Sequence, residues 1–206
     1  ATGADGFQWI DAKRLLVVAE VFPDCGADDA CNAKALAEAG KPSSARAYDD
    51  LLFRHWDTWD DGRRNHLLVV PVEGGAVLDL TPGGDDAPPC SLGDEDWSVS
   101  PDGLEACFSR KDRKDEAWST NAEVFVVPTA GGKPRRVSDA AGYDGGCRYS
   151  PDGSLLTEPS RGLSEGASRI ASTPSPASAA MNRLNGQRNR DSERNRSKPG
   201  AHGYSS

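Results

Sequence analysis

Gly162-Leu163-Ser164-Glu165-Gly166 spells G-x-S-x-G, the pattern that presents a nucleophilic serine for acyl transfer, and Asp191 and His202 follow in the order such a triad can take. The chemistry demands more than the spelling. A serine becomes a nucleophile on a strained turn between a buried strand and a packed helix, beside a base and oxyanion donors. No apolar strand precedes Gly162, and the surrounding Ser, Arg, Asn, Pro and Gly produce the pattern by chance. No catalytic residue is assigned. His55 and His66 with Asp57, Asp60 and Asp61 carry metal-binding atoms, but their spacing matches no ligand template, and no metal or other cofactor is expected.

Cys25, Cys31, Cys90, Cys107 and Cys147 are odd in number and contain no C-x-x-C pair, which argues against structural zinc. Cys25 and Cys31, six apart in a polar loop, suit a short disulfide in an oxidising compartment and equally two free thiols in the cytosol. Cys107, in the alternating run LEACFS, reads as a small buried hydrophobe. The segment YDDLLFRHWDTWDDGRRNH (48–66) mixes aromatic and charged residues. It nominates Arg54, Trp56, Trp59, Arg63 and Arg64 as a contact surface, since Trp and Arg are favoured where proteins touch partners. The same alternation describes a half-buried strand with solvated charges.

The elements that must hold these residues repeat. HLLVVPVEGGAVLDLT (66–81) aligns without gaps with EVFVVPTAGGKPRRVS (123–138), and WSVSPDGLEACFS (97–109) with CRYSPDGSLLTEP (147–159). In Ser-Pro-Asp-Gly the proline sets φ at the second turn position and the glycine ends the reversal, which predicts strands at 97–100 and 104–109. The Gly-Gly pair tolerates φ > 0 in a hairpin between 67–72 and 76–81. Four short antiparallel strands per unit is the pattern of a propeller blade. The expected fold is all-β, an incomplete β-propeller. One blade covers 5–81 with an insertion at 22–60, a second covers 86–138, and 143–156 supplies the first hairpin of a third. Within the insertion CNAKALAEAGK favours a short helix, ended by Gly40 and Pro42.

Charge separates two kinds of sequence. Residues 1–156 hold 16 Lys and Arg against 28 Asp and Glu, net −12, whereas 157–206 hold 8 against 4, net +4. The acidic part argues against a phosphate-binding surface, so no nucleic-acid partner is expected. No apolar run approaches the roughly twenty residues that cross a bilayer, so no membrane association is expected. Residues 157–206 lose the repeat and cannot bury a core, which predicts a disordered tail. The chain opens at Ala1 without a basic or apolar leader region, and the compartment is left open between cytoplasmic and periplasmic or secreted.

Taken together, RHWDTWDDGRRNHLLVVPVEGGAVLDLTPGGDDAPP, WSVSPDGLEACFSRKDRKDEAWSTNAEVFVVPTAGG and YSPDGS resemble the propeller domain of prolyl-oligopeptidase-family serine peptidases, of the dipeptidyl-peptidase and acylaminoacyl-peptidase type. VFPDCGADDACN is similar to that subgroup too, and the resemblance covers about 7–156. It implies a non-catalytic domain that gates peptide access to a separate α/β-hydrolase domain and docks against it. The triad motifs of that hydrolase have no matching positions here, so the chain is not expected to be an enzyme by itself. Peptides are its expected partners only in the context of a full-length parent. Ser-Pro-Asp-Gly with a Gly-Gly hairpin equally resembles TolB-like propellers with WD40-like repeats, which implies the alternative of a protein-protein binding module.

Overall fold

A computed structural model describes residues 3–39, 45, 47–49, 51–55, 57–89, 96–138, 142–154, 156–161 and 168–171. The chain divides into Ala1–Thr173 and Pro174–Ser206, and every described residue belongs to the first unit. The architecture is all-β with one short helix. Sheet 1 is formed by β1 (Gly6–Trp9), β2 (Arg14–Val21), β5 (Arg64–Pro71) and β6 (Leu78–Asp79), antiparallel in that order. The insertion between β2 and β5 holds α1 (Asp29–Ala39) and the small hairpin β3 (Arg54–His55) and β4 (Thr58–Trp59). Sheet 2 runs β7 (Trp97–Val99), β8 (Glu105–Arg110), β9 (Glu123–Pro128) and β10 (Arg135–Arg136), again in chain order. Sheet 3 contains β11 (Tyr143–Asp144), β12 (Arg148–Tyr149), β13 (Leu156–Arg161) and β14 (Ser168–Ala171), with β13 pairing all three others.

Period-two alternation decides which side chains are buried where. β2 and β5 pair with Leu16 opposite Val69 and Val18 opposite Leu67, so these four point to one face. With Ile10 and Leu80 they meet Trp97, Ala106, Phe108 and Val127 of sheet 2 in the largest apolar cluster. Ala19, Val21 and Leu68 form a smaller cluster with Ala27, Val70 and Val77. Full burial of one Leu or Phe contributes roughly 1.5–3 kcal/mol. β5 is therefore apolar on both faces, and its sequence is a continuous run rather than an alternation.

The two Ser-Pro-Asp-Gly turns are built alike. Gly103 N–H donates to Ser100 O at 2.8 Å and Gly153 N–H to Ser150 O at 2.8 Å. Ser100 Oγ donates to Asp102 Oδ1 at 2.6 Å, and Ser150 Oγ to Asp152 Oδ1 at the same distance. Gly103 has φ +69°, and a Cβ there would stand 2.5 Å from the carbonyl oxygen of Ile10, in the turn between β1 and β2 of sheet 1. The glycine is needed for the turn and for the close approach of the neighbouring sheet.

β7 at the edge of sheet 2 meets β1 of sheet 1 and β12 of sheet 3. Gln8 on β1 donates from Nε2 to Trp97 O at 3.4 Å and accepts Val99 N–H on Oε1 at 3.0 Å. Arg148 on β12 donates to the same Trp97 oxygen at 3.1 Å. Asp96, 1% exposed, accepts Ser109 Oγ at 3.0 Å, Tyr143 OH at 2.9 Å and the Gly146 N–H at 2.6 Å on a single oxygen, and so ties sheet 3 to sheet 2.

The helix follows from its local chemistry. Asp28 Oδ1 caps it by accepting the Cys31 N–H at 2.9 Å, and Asp29 places negative charge in the first turn. Asn32 anchors it. This side chain, 3% exposed, accepts Phe22 N–H at 2.8 Å and donates to Gly26 O and Asp28 O. Gly40 and Pro42, expected to end the helix, lie outside the described residues.

Two features extend or correct the sequence reading. Cys107 is buried, but it is disulfide-bonded to Cys147, whose partnership no local spacing reveals. The structure also carries the third unit past Leu156, where the sequence reading ends it and starts the tail. β13 continues to Arg161, and β14 pairs with its residues Leu156 to Pro159. A middle strand draws its hydrogen bonds from neighbours on both sides, and that demand is indifferent to the polar composition that marked the break. The remainder of the expected tail, 172–206, lies outside the described residues.

Candidate functional site

A cleft opens where the insertion returns to sheet 1. It is lined by Glu20 at the end of β2, Leu52, the hairpin residues Arg54, His55, Thr58 and Trp59, then Asp60, Asp61, Arg63 and Arg64 leading into β5, and Asp86, Arg113 and Glu116 from farther along the chain. Its wall is aromatic. Trp59 stacks on Phe53 at 6.1 Å and on Tyr48 at 6.0 Å between ring centroids, and the Arg54 guanidinium lies 5.8 Å from the Trp59 centroid. A cation over an aromatic face gains about 0.5–1 kcal/mol at an exposed site.

The floor is a network of ion pairs. Asp60 accepts from Arg64 at 3.0 and 3.1 Å and from Arg113 at 3.3 Å. Arg64 also donates to the carbonyl of Arg63, and with its side chain 9% exposed it is braced inside the cleft rather than offered outward. Arg63 bonds Glu20 at 2.6 Å and Asp61 at 2.8 Å. Burial pushes the Glu20 carboxyl above its ordinary range, and the Arg63 charge opposes that rise. Asp86 accepts the Asn65 N–H at 2.7 Å. Desolvation raises it to about 6, while that hydrogen bond and Arg64 pull the other way.

Four of the five nominated contact residues, Arg54, Trp59, Arg63 and Arg64, line this one cleft. Trp56 lies outside the described residues. The nomination missed Glu20, Asp86, Arg113 and Glu116, because each enters through tertiary folding and has no spacing signal relative to 54–64. Cys25 and Cys31 are joined by a disulfide with Cα atoms 5.5 Å apart. His55 and His66 are not brought together. His55 is on the exposed hairpin, whereas His66 is fully buried in β5, with Nδ1 2.7 Å from Asp79 Oδ2 and Nε2 3.1 Å from Gly83 O. Among the described residues no group of three or more His, Cys, Asp or Glu is placed to hold a metal ion. Ser164, Asp191 and His202 lie outside the described residues. Among the described residues no helix is long and apolar enough to cross a membrane.

Comparison with known proteins gives the setting for this cleft. Over 121 residues the chain is 29% identical to dipeptidyl-peptidase 5 of Porphyromonas gingivalis, and over 125 residues 28% identical to dipeptidyl-peptidase 5 of Porphyromonas endodontalis. The matches support a peptidase-family relationship. Each takes in 55% of this chain and 18% of the relative, so the similarity concerns less than a fifth of those proteins. No protein-family model matches the chain. The cleft's own chemistry is ionic and aromatic contact, and among the described residues that line it Thr58 is the one hydroxyl.

Proposed function

We propose that this chain is a non-catalytic β-propeller segment of a serine peptidase of the prolyl-oligopeptidase type, which restricts the entry of peptides and docks a hydrolase domain. One observation carries the reading: three antiparallel sheets follow one another in chain order, and β7, the first strand of sheet 2, is bonded by Gln8 of β1 in sheet 1 and by Arg148 of β12 in sheet 3 through the Trp97 carbonyl. Blades arranged around an axis meet in this manner. The similarity to dipeptidyl-peptidase 5 then points to the peptidases among propeller-bearing proteins. A cleft of paired charges with an aromatic wall suits the recognition of a polypeptide segment. Hydrolysis requires an activated nucleophile and an oxyanion hole in one preorganised place, and the cleft lining offers Thr58 without that apparatus.

The test is hydrolysis of dipeptidyl and aminoacyl nitroanilides by the purified chain. Release of nitroaniline at the blank rate is expected. Turnover that Ser164→Ala abolishes would overturn the reading and make the chain a hydrolase in its own right.

A further inference from the structure

Four of the five cysteines are paired, and the two pairs sit in different surroundings. Cys25–Cys31 closes a short loop before and into α1, where both residues are half-buried. Cys107–Cys147 spans two sheets. Cys107 belongs to β8 in the middle of sheet 2, and Cys147 immediately precedes β12 of sheet 3. Both are fully buried in an apolar cluster with Val124, Val126 and Leu156. We propose that Cys107–Cys147 is a covalent latch holding sheet 3 on sheet 2, installed by thiol–disulfide exchange in an oxidising compartment, so that this chain matures outside the reducing cytosol.

The exchange balances without any group beyond an ordinary disulfide oxidant, either a protein disulfide or a small-molecule one. One cysteine thiolate attacks the oxidant's S–S bond and releases one oxidant thiol, leaving a mixed disulfide. The second cysteine thiolate then attacks the cysteine sulfur of that mixed disulfide and releases the other oxidant thiol. The two cysteines give up two protons and two electrons, and the oxidant leaves as two thiols. A cytosolic thiol pool drives this reaction backwards, which is why persistent disulfides belong to oxidising compartments.

Burial gives the latch its character. No reductant or oxidant reaches a fully buried sulfur pair while the sheets are closed, so exchange there waits for sheet 3 to open. The order of the cysteines adds a hazard. Cys90 precedes Cys107 by 17 residues, whereas Cys147 lies 40 beyond it. Loop closure alone favours the Cys90–Cys107 pairing about three- to four-fold in the unfolded chain. The native pair is selected only because the stacking of sheets 2 and 3 brings Cys147 within 6.3 Å of Cys107, Cα to Cα, a separation a disulfide spans.

The experiment uses the full chain, produced with and without an export signal, acid-quenched and alkylated in guanidinium without reductant. The exported protein is expected to carry one alkylated cysteine, Cys90, and its non-reducing digest a peptide pair linked through Cys107 and Cys147, placed by fragmentation. The chain retained in the cytosol is expected to show five alkylated cysteines and faster proteolysis of 143–171. With dithiothreitol and no denaturant, Cys25–Cys31 should open at least tenfold faster than Cys107–Cys147, and guanidinium should erase the difference. Alkylation of Cys107 and Cys147 in the exported protein would overturn the proposal. So would a Cys90–Cys107 link as the main product, equal native reduction rates, or the same latch in the retained chain.

Discussion

Asp86→Asn converts a carboxylate that burial disfavours into an isosteric neutral amide. The folded carboxyl stands at about 6 against an ordinary 3.8, so folding holds a proton there that the unfolded chain releases. An acid whose pKa is raised by folding contributes its full stability below the unfolded value, and that contribution is lost as pH rises through the folded one. The window is therefore about pH 4 to 6, and the rise corresponds to about 3 kcal/mol as an upper bound at neutral pH. The amide can still accept the Asn65 N–H, so the turn that places Ala87 and Pro88 keeps its hydrogen bond. Loss of the attraction to Arg64 reduces the gain, and a net stabilisation of about 1–2 kcal/mol at pH 8 is expected. For a unit of this size that is roughly 2–8 °C in melting temperature. Thermal melts of the variant and the parent protein from pH 3.5 to 8, followed by circular dichroism, should diverge across the window and converge near pH 4. A variant that is less stable at pH 8, or whose difference from the parent does not change with pH, would refute the assignment of burial as the dominant cause.

Two further substitutions probe the joints between sheets, and a third is their control. Gly103→Ala should cost more than 2 kcal/mol in a denaturant melt, because its Cβ meets the Ile10 carbonyl at 2.5 Å in addition to the positive φ. Gly74→Ala, at φ +85° but facing open space, should cost about 1 kcal/mol. Asp96→Ala removes the acceptor of three donors at a site 1% exposed. A loss of roughly 3 kcal/mol is expected, together with accelerated amide exchange in 143–149 but not in 6–21.

Those contrasts also mark how far the sequence could be read. Ser-Pro-Asp-Gly and Gly-Gly are local instructions, since proline and glycine restrict or free the very torsions that make a turn, and hairpins form around both kinds. The helix was equally legible from CNAKALAEAGK. What escaped was the pairing of particular side chains far apart in the chain. Asp86 and Arg113 enter the cleft from two loops with no periodic link to Arg54 or Trp59. Cys147 is opposite Cys107 only after two sheets stack, and a lone cysteine in an alternating strand carries no mark of its partner. The continuation of β13 is hidden in the sequence because its residues are polar, whereas hydrogen bonding from both sides decides it.

The glutamine on β1 has a consequence beyond holding two sheets together. β7 is the outermost strand of sheet 2, and such a strand ordinarily presents a row of bare amides that can recruit a foreign strand. The Gln8 side chain imitates one peptide unit of that foreign strand. It gives a hydrogen to Trp97 and takes one from Val99, while Arg148 also donates to the Trp97 carbonyl. A single carboxamide thus occupies the two backbone groups that a foreign strand would need along this border.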